Sequence, residues 1–102
     1  MALFVVQHRH EAAYCPARNA EMAPMLLAHL APANAQQFGV SIQGEAVLDG
    51  AHTLVLILDA PDEARVNQFM QPFTMAGSVE VQSASHCETV VERGDCEPAS
   101  VN

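Results

Sequence analysis

The residues of this chain best suited to chemistry are His8 and His10, which close its first apolar segment, and Cys15, five positions further on. Leu3-Phe4-Val5-Val6 reads as a central β-strand running from about Ala2 to His10. Successive strand side chains point to opposite faces, so His8 and His10 share one face and Arg9 takes the other. Two neutral imidazoles and a thiolate are good ligands for nickel, copper or zinc. A complete site would need one or two further donors. The plainer alternative is a pair of polar strand-end residues hydrogen-bonded in a solvent-lined cavity. A second functional reading has no metal: a small organic molecule is held in the same cavity with His8 or His10 as acid or base; a third is a purely structural dimer or adaptor. Cys15, just ahead of a helix start, is also a candidate nucleophile.

The other reactive types have blander readings. His29 falls on an apolar helical stripe and reads as a satisfied core histidine. His86 and Cys87 are neighbours, so on a strand they point opposite ways and do not share a metal. Met22, Met25, Met70 and Met75 are core filler before they are copper ligands. Gln7, Arg9, Gln43 and Glu45 would hold a polar ligand if their strand faces line a cavity. Strand parity leaves open whether that cavity faces His8 and His10 or Gln7 and Arg9. No phosphate-binding glycine loop, nucleophile elbow, CxxC pair or HExxH motif is present.

With 102 residues, half of them hydrophobic, the chain suits one domain with a modest core. The formal charge of −8, with only four Lys plus Arg, argues against nucleic-acid binding and favours cationic partners. No apolar run approaches the ~20 residues of a membrane span, and the N-terminus lacks a secretory pattern. A soluble, cytoplasmic protein with no membrane partner is expected. Three cysteines then default to free thiols, with a Cys87–Cys96 bridge conceivable but not favoured.

Either Pro16 opens a helix or Asn19 caps one; helix one is expected over Ala20 to about Leu30, with Pro24 requiring a late start or a bend. Asn34 to Phe38 suits a further turn stopped by Gly39. Strand two, Val40 to Leu48, alternates: Val40, Ile42, Ala46 and Leu48 on one face, Ser41, Gln43 and Glu45 on the other. Asp49-Gly50 signals a hairpin. Strand three, His52 to Leu58, is apolar on both faces. Helix two opens at Asp59-Ala-Pro-Asp-Glu and carries the stripe Val66, Phe69, Met70, Phe73. Strand four starts at Ser78 and has room to extend through Cys87 to Val91. Residues 1–92 make the domain, and 93–102 a disordered polar tail.

The order predicts an α+β, ferredoxin-like βαββαβ fold with a four-stranded antiparallel sheet. Strands one and three are expected at its centre and parallel to each other, with both edges antiparallel. That arrangement would bring Asp59 and Glu80 to the end of strand one. Two helices cover one face only, so the other face calls for a homodimer packed sheet against sheet.

Gly39-Val40 opening strand two, the hairpin, and apolar strand three ending in Asp59-Ala60-Pro61 before a helix together resemble the dimeric α+β barrel superfamily. The resemblance covers about residues 2 to 91. That superfamily includes small monooxygenases, muconolactone-isomerase-like proteins and a small bacterial nickel-binding protein. It implies a homodimer around a cavity, binding a metal ion or a small molecule, and leaves open whether the protein is an enzyme.

Overall fold

The structure, a computed structural model, describes residues 1–97. Four strands, β1 (Ala2–His10), β2 (Ser41–Leu48), β3 (Thr53–Ala60) and β4 (Gly77–Ala84), form one sheet in the order β2-β3-β1-β4. The helices are α1 (Met22–Leu30), α2 (Pro32–Gln37), α3 (Glu63–Met70) and α4 (Cys87–Arg93). This is the expected α+β, ferredoxin-like layout. One feature of the expectation is overturned. β1 and β3 run antiparallel, Ala2 facing Ala60 and Arg9 facing Thr53. Every neighbouring pair in the sheet is therefore antiparallel. The reversal moves Asp59 to the start of β1, opposite Leu3, and brings the turn before β3 to its end.

The register also settles the faces. Phe4, Val6 and His8 stand on the same side as Leu54, Leu56 and Leu58, and all six are buried. Val66, Phe69, Met70 and Phe73 meet them as one core cluster, as the helical stripe requires. Asp62 caps α3, its Oδ1 accepting from Arg65 N at 2.9 Å. α1 is different. Asn19 Oδ1 accepts from Glu21 N and Met22 N at 2.9 and 3.0 Å, and the helix starts late enough to keep Pro24 in its first turn. Leu26 and Leu30 pack against the core, yet no α1 residue is fully buried.

Several details depart from the sequence reading, among them β3, which runs on through Asp59 to Ala60, so that α3 opens at Glu63 rather than at Asp59. β2 carries a bulge between Ile42 and Gly44, so face alternation inverts there. Beyond it Glu45 and Val47 pair with Leu56 and Leu54, while Ala46 and Leu48 move to the opposite face with Val55 and Thr53. β4 stops at Ala84, and Cys87–Arg93 is helix rather than strand. Glu88 in the first turn, Arg93 in the last and Gly94 at φ +76° are helix-end signals that outweigh the β-preference of Val90-Val91. Arg93 also belongs to this helix, and its guanidinium donates to the carbonyls of Asp95 and Cys96. The rest of the expected tail, 98–102, lies outside the described residues. Among those described, no helix is long and apolar enough to cross a membrane.

Gly77 opens β4 directly opposite His10. A Cβ there would lie 2.1 Å from the Arg9 carbonyl oxygen, in rigid backbone. Gly77→Ala is expected to destabilise the fold by about 2 kcal/mol or more in urea titration. Gly44→Ala, where a Cβ meets nothing within 4 Å, should stay within about 0.5 kcal/mol of the parent.

Candidate metal centre

The end of β1 is where the chain's polar chemistry gathers. Behind His10 the chain makes two successive 3-10 turns, Ala12–Tyr14 and Pro16–Arg18, with Cys15 between them. Cys15 N donates to Ala12 O at 3.3 Å and Arg18 N to Cys15 O at 3.1 Å. Proline at the first position of the second turn gives up no hydrogen bond there. The tight reversal folds the half-buried Cys15 back over the strand end.

From the other side comes the β2–β3 turn. Ala51 N donates to Leu48 O at 3.1 Å, with Gly50 at φ +75°. A positive φ at the third turn residue is the reason for glycine. His52 follows at φ +49°, the one non-glycine residue with positive φ among those described. Left-handed backbone costs a residue with a Cβ roughly 1–2 kcal/mol. Thr53 steadies the turn, its Oγ1 donating to Ala51 O at 3.0 Å. The His52 carbonyl accepts from His10 N at 3.1 Å, and the two rings meet edge to face, centroids 5.2 Å apart.

His10, Cys15 and His52 thereby bring one ligand atom each to within 4.8 Å of one another. Donors bound to one tetrahedral zinc ion sit roughly 3.3–3.7 Å apart, so a small contraction would close the set. Both ring nitrogens of His10 are buried and lack a hydrogen-bond partner among the described residues. Such groups are normally satisfied by protein, water or an ion.

His8 stands next to this cluster but outside it. Its ring lies 5.4 Å from that of His10, centroid to centroid. Its Nδ1 lies 3.1 Å from the Ser78 carbonyl. A carbonyl only accepts, so Nδ1 carries the proton and Nε2 holds the lone pair. That Nε2 is buried without a hydrogen-bond partner among the described residues. The sequence thus named two of the three clustered donors and missed His52. The signal for it was available: in an antiparallel β1–β3 pair, the residue before Thr53 has to fall beside His10.

The other candidates separate cleanly. His29 is structural as expected, its Nε2 2.7 Å from Phe69 O, its Nδ1 near Asn34 Nδ2, its ring stacked on Phe69. Gln7 and Glu80 face each other on the opposite side of the sheet from His8, and Arg9 donates to Thr53 Oγ1 there. Glu80 therefore cannot complete a site with the histidines from that face. Gln43 donates to Asp59 Oδ2 at 2.6 Å, far along the sheet from His10. Cys87 opens α4, with His86 as its cap residue, and Cys15, Cys87 and Cys96 are all free thiols.

Comparison of the chain with protein-family models, with curated proteins and with solved structures finds no match. The fold class and the donor cluster stand on the geometry alone.

Burial holds the pKa of His8 below its ordinary 6.5, the Ser78 bond opposing and nearby His10 reinforcing. Burial, then His52, lowers that of His10. Below pH ~6.5 the unfolded chain takes up protons that these folded rings refuse. Their contribution to stability is full above that pH, falls as pH drops through it, and levels off below the folded-state values. Urea titrations across this range should show a shallower decline for the His8→Leu, His10→Leu double variant than for the parent.

Proposed function

We propose that this protein binds a first-row transition-metal ion, nickel, copper or zinc, through His10, Cys15 and His52. The reading is carried by one observation: three mixed nitrogen and sulfur donors converge while both buried nitrogens of His10 lack a partner among the described residues. A thiolate with two imidazoles is the donor set that borderline ions favour over magnesium or calcium. Three protein ligands leave a coordination position for an exchangeable group, the pattern of sites that deliver a metal or use it on a small molecule. The net charge of −8 raises the local concentration of cations around the chain. His8 and its Ser78 bond brace the strand beside the site rather than joining the donor set.

Titration with cobalt(II) as a spectroscopic probe should reach one ion per chain with a thiolate-to-metal charge-transfer band. Cys15→Ser should abolish the band. His10→Ala and His52→Ala should each weaken binding at least tenfold, and unchanged stoichiometry and affinity in both would remove the proposal. His52→Gly separates ligation from folding. It should lose metal affinity yet gain up to about 1 kcal/mol in urea stability, because glycine adopts positive φ freely.

A homodimer is part of the same reading. The sheet face away from the helices carries Leu3, Val5, Val55 and Ile57, none fully buried, and Ile57 is 41 % exposed. Apolar sheet surface of this kind is commonly covered by association. Light scattering should give twice the chain mass, and Ile57→Lys should shift it toward the monomer.

A further inference from the structure

Building on the homodimer proposed above, we infer that the two copies pack sheet on sheet about a two-fold axis that runs across the strands, so that Arg9 of each copy pairs with Asp59 of the other. The face turned away from the helices has unlike ends. It is apolar through Val5, Val55 and Ile57 in the middle, with Arg9 at one end of β1 and Asp59 at the other, opposite Leu3. Arg9 is the only Lys or Arg that any of the four strands carries. Neither charge is answered within the chain. The one hydrogen bond of the exposed Arg9 side chain among the described residues runs from Nε to Thr53 Oγ1, at 3.4 Å. Asp59 is half-buried, and its Oδ2 accepts from a neutral donor, Gln43 Nε2, at 2.6 Å. Arg9 and Asp59 stand six residues apart along the paired strands, roughly 20 Å at about 3.4 Å per residue, so they do not reach each other inside one chain.

A closed dimer has to match this face to itself. Facing sheets pack about 10 Å apart with their strands nearly aligned, which leaves two settings of the axis. An axis along the strands lays β1 of one copy over β3 of the other with like ends together. Arg9 then sits beside Arg9, and Asp59 beside Asp59. An axis across the strands lays unlike ends together. Each guanidinium then meets the Asp59 carboxylate of the partner subunit, one strand over, and the apolar middles still coincide. Glu80 on β4 does not choose between the settings, because it faces Gln82 of the partner subunit in one and Ala46 of the partner subunit in the other, both uncharged. Like charges juxtaposed across an interface are penalised and unlike ones fix register, so the charge pattern selects the second setting.

The test is the dimer dissociation constant of the full chain, measured by sedimentation equilibrium in the presence of chelator. Arg9→Asp and Asp59→Arg should each weaken the dimer about tenfold or more, because each sets like charges against each other twice in a symmetric interface. The combined swap, Arg9→Asp with Asp59→Arg, should return the constant to within about threefold of the parent. Since the two residues are too far apart to meet in one chain, that rescue reports a contact between copies. Arg9→Gln and Asp59→Asn supply a second set that keeps side-chain shape, with circular dichroism as the check on folding. Each should weaken the dimer, and the two together should weaken it no further than one alone. Swaps that leave the dimer unchanged, a combined swap no tighter than its single variants, or neutral variants whose effects multiply each overturn the inference while the homodimer itself stands. A monomeric parent overturns both. Because chelator removes the metal, all of these outcomes are independent of the titrations of His10, Cys15 and His52.

Discussion

The backbone hydrogen bond from His10 N to His52 O, 3.1 Å long, is the contact on which the candidate site depends. It ends the β1–β3 ladder and fixes the β2–β3 turn against the tip of the central strand. Without it His52 would have no reason to hold a left-handed backbone, and its ring would not meet that of His10. Cys15 arrives independently, by two 3-10 turns that need only local hydrogen bonds and one proline. One long-range pairing and one local reversal therefore assemble three donors from separate parts of the chain.

The two sides of β1 divide the labour. The side toward the helices is dry, built on Val6, Leu56 and Leu58, and it ends in His8 and His10. Burial there holds the pKa of both imidazoles below the ordinary 6.5, which favours the neutral form that a metal needs. The other side carries Gln7, Arg9 and Glu80 and stays mixed in character. α3 secures the core with three fully buried residues, whereas α1 buries none completely.

Much of this was legible in the residues. Apolar strands, the Asp49-Gly50 turn, the Val66-Phe69-Met70-Phe73 stripe and the capping residues specify the element order and fold class. His8 and His10 follow from strand alternation alone. What escaped was relational. The direction of β3 against β1 depends on how crossovers wrap, and a wrong sense exchanged Asp59 for His52 at the site. The bulge before Gly44 inverts the faces of β2, and no alternation pattern announces an extra residue. Val90-Val91 carried a strand preference that Gly94 and the flanking charges overrode.

The same bulge has a consequence for how copies of the chain meet. β2 is an outer strand whose unpaired amides would otherwise offer a straight template to any passing segment. A kink at Gln43 and a carboxylate at Glu45 spoil that template. Growth of the sheet sideways into fibrils is thus disfavoured at this margin.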